Sequence, residues 1–358
     1  MKRRWKIAIG AGCVLAATIL IPMAYIEVGC RSPIAGFDPG APYKPILRPA
    51  ERRPEARTFL TYPEWHIVYS AESYGRHLTA AQRPSGYAFG GDIGGFWSSY
   101  CALNRATAGG DAGDAKMMIY TIGISYSVEM LVKAAYERLI GRFFEWTGGW
   151  QSADDRYAAA VQREYGQFMH ETPWYMFPFG KAFSGEWRTA DSKNRLRHVE
   201  RRFALSAEYG VKAGYAKLIG SAAGATMDPA APKLWFVAKG SPAVIQAIDP
   251  RLKPTRTAGG LTVVEAPRYA QFTDLLGKLA ASPVEIVEIS GNDDILVTTL
   301  APDAAAPRAE DGTVLISQSL ADRPGWRRYG ISTKVPKLLA LLRAVKARGG
   351  AVEHIYDY

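Results

Sequence analysis

Five histidines, at 66, 77, 170, 198 and 354, are the chain's only side chains with an ordinary pKa near neutrality. Glu64 and His66, in the first turns of a predicted helix, are the candidates for acid–base catalysis. Two residues apart, they do not share a helix face, which argues against a joint ligand or a tight dyad. The sequence has no H-E-x-x-H, no G-x-S-x-G, no Walker-type loop and no dinucleotide fingerprint. The E-x-x-H spacing of di-iron bundles is missing as well, and the expectation is no metal site and no cofactor.

A second set of candidates comes from an internal match. Residues 129–141 align with 208–220 as E-x-x-V-K-A-x-Y-x-x-L-I-G, identical at eight of thirteen positions. Ser127 and Ser206 extend it. At 100° per residue, Val132, Tyr136, Leu139 and Ile140 form one stripe, with Glu129 inside its edge and Lys133 beside it. Glu208 and Lys212 repeat the arrangement. Acids recurring on an apolar face suggest a polar site, so Glu129, Lys133, Glu208 and Lys212 are candidate binding residues. The plainer reading is an i,i+4 pair worth about 0.2–0.5 kcal/mol. If two such helices pack about a local two-fold, Glu129 meets Lys212 and Glu208 meets Lys133. Trp174 and Tyr175, in the aromatic run 173–179, are further binding candidates, although core packing is the commoner use of such residues.

These residues need elements to hold them. Thr61 with Glu64 reads as a capping box opening a helix to about residue 78. Residues 86–95 are glycine-rich and read as a connection, and 108–114 as a surface loop. Helices are expected over 116–146, 154–170 and 193–220, with the apolar part, 117–128, buried. After the Pro/Ala-rich break at 228–232 the pattern changes. Strands are expected over 234–238, 261–266, 284–289, 295–300, 314–320, 328–333 and 352–356, with helices over 241–248, 269–280 and from 336. Gly291-Asn292-Asp293-Asp294 reads as a hairpin turn between two of the strands. The fold class is α+β: an anchor helix, a mainly helical domain over 58–227, and a mostly antiparallel α/β sandwich over 231–358, ferredoxin-like in its best reading.

The anchor is residues 1–30. Residues 7–26 carry no charge and follow Lys2, Arg3, Arg4 and Lys6. Twenty residues at 1.5 Å each span about 30 Å, a bilayer's hydrocarbon core. The basic cluster stays cytoplasmic, which puts the body outside. A cleaved signal peptide lacks its A-x-A-like site here, whereas lipidation at Cys30 is the better rival. Residues 31–57, with six prolines, read as a tether. Cys30 and Cys101 would then share an oxidising compartment, where they can pair. The net charge of +10 falls in clusters, including 193–202, and these read as solvated. The function expected is a membrane-anchored extracytoplasmic binding or interaction module, touching lipid through its anchor and a protein partner, with no nucleic acid. The alternative is an enzyme with a Glu/His site between the helical and α+β domains.

Overall fold

The structure, a computed structural model, describes residues 2–34, 43–52, 61–107, 113–191, 193–226 and 233–356. The loop at 108–112 and the break at 228–232 therefore lie outside the described residues, as do 35–42 and 53–57 of the tether. The chain divides into two compact units. The first holds Met1–Gly29, Pro63–Ser98 and Ala112–Asp228, and the second Cys30–Tyr62, Ser99–Asp111 and Pro229–Tyr358.

The first unit is helical. The helices are α1 (Lys2–Ala24), α2 (Tyr62–Thr79), α3 (Phe89–Ala106, which passes into the second unit at Ser99), α4 (Gly113–Tyr136), α5 (Arg142–Thr147), α6 (Ala153–Phe168), α7 (Phe179–Glu186) and α8 (Arg195–Thr226). Among the described residues no helix is long and apolar enough to cross a membrane. The side chains at 1–8, 11, 14 and 15 are not among those described. The helix α1 packs on α4, and Glu27 just beyond it accepts from Tyr120 Oη at 2.6 Å and pairs with Lys116 at 2.5 Å.

The glycine-rich stretch after residue 86 is mostly helix, because Phe89, Phe96 and Trp97 recur on a buried face. The apolar start of α4 is buried on one side only: Ile119, Tyr120 and Tyr126 point inward, while Met117 and Met118 are exposed. Between α4 and α5 the helix widens into a π turn over Glu137–Gly141. The aromatic run forms a 3-10 turn, Trp174–Met176, leading into α7.

The second unit contains two antiparallel four-stranded sheets. The elements are β1 (Lys233–Lys239), α9 (Pro242–Ile248), β2 (Lys253–Ala258), β3 (Leu261–Pro267), α10 (Ala270–Leu279), β4 (Glu285–Ile289), β5 (Asp294–Pro302), β6 (Thr313–Ser319), β7 (Trp326–Lys334), α11 (Val335–Ala347) and β8 (Ala351–Ile355). The first sheet runs β2-β3-β1-β4 and the second β6-β7-β5-β8, so the same order occurs twice. One apolar core joins them, with Phe236, Phe272 and Ile286 from the first half and Ile331, Leu338 and Ile355 from the second.

Two expectations are corrected here. The turn at 291–294 does not make a hairpin: β4 and β5 belong to different sheets, and only a bridge between Ile289 and Asn292 forms. The turn hands the chain from one sheet to the next. Part of the tether is also well packed. Buried Glu288 accepts from Tyr43 Oη at 2.9 Å and from the backbone N–H groups of Ile46 at 2.6 Å and Leu47 at 3.0 Å. Leu47 fills a small apolar cluster with Val237 and Val263 on the sheet. Cys30 and Cys101 form a disulfide, flanked by Asn104 Nδ2 donating to the Cys30 carbonyl at 2.9 Å. The bond leaves Cys30 no thiol to carry a lipid.

Candidate functional site: a charged cleft on the helix repeat

The two copies of the repeat lie in α4 and α8, and their charges cross over. Lys133 Nζ is 2.8 Å from Glu208 Oε1, and Lys212 Nζ is 2.8 Å from Glu129 Oε1. Lys212 also reaches the glutamate of its own helix, Glu208, at 3.2 Å. The pairs are not equally wet: Glu129 is 45% exposed, whereas Glu208, Lys133 and Lys212 are 21%, 15% and 13% exposed. Burial pushes the Glu208 carboxyl up, but Lys133 and Lys212 outweigh it and hold it at about 2. Burial disfavours the Lys212 ammonium, yet Glu129 and Glu208 more than compensate and raise it.

The equivalence reaches well beyond the sequence match. Trp97 Nε1 donates to Ser127 Oγ at 3.0 Å, and Trp187 Nε1 donates to Ser206 Oγ at 3.0 Å. Lys133 lies over the Tyr74 ring at 4.8 Å, and Lys212 over the Tyr165 ring at 5.1 Å. Tyr74 packs on Tyr87 and Phe89, and Tyr165 on Phe177 and Phe179. Behind them α2 and α6 cross at glycines: a Cβ on Gly75 would stand 3.3 Å from the backbone of Arg163, and one on Gly166 2.9 Å from Glu72 Cγ. Helix, 3-10 turn, helix and long helix thus recur as α2–α3–α4 and α6–α7–α8. The sequence hints were Phe89-Gly90 with Trp97 against Phe179-Gly180 with Trp187, and Tyr74-Gly75 against Tyr165-Gly166. Their offsets of 90 and 91 differ from the 79 of the strong match, because the connecting segments differ in length.

The end of the site at Glu137 carries a buried arginine network. Arg201 grips Glu137 with two bonds, Nη1 to Oε1 at 2.8 Å and Nη2 to Oε2 at 3.1 Å, and reaches Glu200 at 2.6 Å. Arg197, fully buried, bonds Glu200 at 2.9 Å and Asp155 at 2.8 Å, and its guanidinium is 3.8 Å from Glu145. Burial raises the Asp155 carboxyl, but the bonds from Arg197 prevail and lower it. Arg201 is disfavoured by burial and nevertheless raised by Glu137 and Glu200. Ala216 occupies the place of Glu137 in the second copy. The basic run 193–202 is thus not a solvated surface throughout, since Arg197 and Arg201 are its most buried members. The π turn at Glu137–Gly141 marks this asymmetry; such turns often accompany functional sites.

Lys133, Glu208, Glu137, Arg201 and Asp155, with Tyr74, Tyr209 and Leu205, line a narrow cleft with room for little more than a water molecule. Neither Glu64 nor His66 lines it. Glu64 is half-buried in the first turn of α2. His66 is buried edge-on to Phe96 and Tyr126, and its Nε2–H donates to the Asp92 carbonyl at 2.9 Å, which fixes the tautomer. Asp92 itself accepts from Tyr87 Oη at 2.5 Å and Ser70 Oγ at 2.6 Å. Trp174 and Tyr175 are half-buried, and Trp174 packs on Tyr215 at 5.4 Å.

A second acidic cluster escaped sequence reasoning. Glu186 is fully buried beside Asp154, which accepts from Thr189 Oγ1 at 2.6 Å and lies 2.7 Å from His198 Nδ1. Burial, then the hydrogen bond and charge of Asp154, push Glu186 up to about 8, against the pull of Arg202 and Arg201. It holds its proton at neutral pH. Among the described residues no group of His, Cys, Asp and Glu is arranged to hold a metal. No family model matches the chain, and neither a curated protein nor a solved structure resembles it significantly.

Proposed function

We propose that the chain is a single-pass, membrane-anchored protein whose body lies outside the cytoplasm and acts by binding rather than by catalysis. The observation that carries this is the Cys30–Cys101 disulfide, formed immediately after the apolar N-terminal segment. Disulfides persist in oxidising compartments. The uncharged stretch 7–26 after four basic residues supports crossing at that point. The cleft's electrostatics favour binding. A general base works best with a pKa near the operating pH. Glu208 is held at about 2 and Asp155 is lowered, so these carboxylates are fixed charges. Each is already matched by a lysine or arginine, which suits a rigid scaffold that presents surfaces to a protein partner. The strand order supports a finer reading of the fold, in which each half of the second unit is ferredoxin-like.

The test is topological. A phosphatase active only outside the cytoplasm, fused after Tyr358, should be active, and a reporter active only in the cytoplasm should be silent. Cys30 and Cys101 should resist alkylation until reduced. A strong cytoplasmic signal, or two freely alkylated thiols, overturns the reading.

A further inference from the structure

The repeat leaves its outer faces apolar. On α4, its π turn and α5, Val132, Leu139, Phe143 and Trp146 are exposed at intervals of 7, 4 and 3 residues. On α8, Leu196, Val199, Phe203, Val211 and Leu218 are exposed at intervals of 3, 4, 8 and 7. These are the intervals of one helix face, normally turned inward. The two copies agree at a valine and a leucine: Val132 and Val211 are 65% and 73% exposed, and Leu139 and Leu218 are exposed too. Contiguous apolar faces of this kind mark a protein or membrane contact.

We infer that the outward faces of α4–α5 and α8 rest in the surface of the lipid bilayer that holds α1; this rests on the membrane-anchor reading above. Charge chooses the occupant. Among the described residues of these helices, the exposed charges are Arg138, Arg142, Arg195, Lys217 and one acid, Glu129, which is bound to Lys212. A second copy docked on this face would bring basic rims together, whereas anionic headgroups complement them. Arginine and lysine at such rims extend toward headgroups while their stems stay in the apolar layer. Trp146 and Trp187, both exposed, are the residue type that favours the bilayer–water interface. In the same unit α1 packs on α4 and exposes Ile9, Leu20 and Ile21.

The test uses the full chain in vesicles of phosphatidylcholine and phosphatidylglycerol, with an environment-sensitive fluorophore on a single free thiol. Cys13 is the native site within the anchor. With Cys13→Ser, labels are placed by Val132→Cys, Val211→Cys and, on an exposed residue of the second unit, Arg308→Cys. Lipids brominated in the acyl chain should remove most of the emission at 132 and 211 and leave 308 unchanged. Labels at 132 and 211 that report water overturn the inference. Labels shielded from water but untouched by brominated lipid indicate a second copy and overturn it too. A quenched Cys13 label beside unquenched 132 and 211 removes this inference alone, and an unquenched Cys13 label removes the anchor reading.

Discussion

Lys133 and Glu208 meet at 2.8 Å across two helices that are copies of one another, and neither side chain is more than about a fifth exposed. Breaking one partner of a buried pair costs about 3–5 kcal/mol, against about 0–1 kcal/mol for an exposed pair. Glu208→Gln and Lys133→Met should each destabilise by about 3 kcal/mol in denaturant unfolding. The double mutant should recover part of that loss. Glu129→Gln, at the wet end, should cost less than about 1 kcal/mol. Additive effects for the Lys133–Glu208 pair would show that the crossing carries no coupling.

The pH dependence has two limbs with opposite signs. Glu208 is held at about 2, below the roughly 4.3 of an unfolded glutamate. Its contribution is present above that unfolded value and fades as pH falls toward 2. Glu186, pushed up to about 8, behaves the other way. Folding favours its protonated form, so its contribution is full below about 4.3 and is lost as pH rises through 8. Unfolding free energy measured across pH 4 to 9 should decline between about 4.3 and 8 and level off above that. Glu186→Gln should flatten that decline, and an unchanged slope would remove Glu186 as its source.

The two tryptophan–serine bonds have the same length but different surroundings. Trp97 and Ser127 are buried, while Trp187 is exposed. Ser127→Ala should cost about 1–3 kcal/mol, because the indole N–H is left unsatisfied away from water. Ser206→Ala should fall within about 0.5 kcal/mol, since water replaces the hydroxyl. Equal losses at the two sites would contradict the difference in burial.

The disulfide closes a loop across a separation of 71 residues. Chain entropy for a loop of that size is worth about 4 kcal/mol. Cys101→Ser, or reduction of the wild type, should lower the unfolding free energy by that order. The reductant should have no effect on the variant; a further fall there would point to another reducible group.

Much of this was legible in the residues. The E-x-x-V-K-A-x-Y-x-x-L-I-G match located both helices and the charges that cross between them, because pattern and charge lie on one contiguous segment. Arg197 and Arg201 were hidden in a basic run: their acids, Asp155 and Glu137, come from segments 42 and 64 residues away. Sign of charge says nothing about burial. The strand β2, Lys253–Ala258, is polar and contains a proline, as an edge strand tolerates, and so gave no alternation to read. The turn 291–294 misled because turn chemistry describes a local reversal and is silent about which sheet the chain enters next.

Lysine and glutamate exchanged between equivalent helices is what an isologous dimer interface looks like, each subunit giving the other what it receives. Here both partners sit on one polypeptide, so their association is intramolecular and owes nothing to protein concentration. Covalent joining also frees the halves to diverge. Glu137 faces Arg201 on one side, while the matching place on the other is Ala216. A true homodimer would have to carry every such change twice. This chain can keep one half as a scaffold and alter the other, and its cleft lies on the altered side.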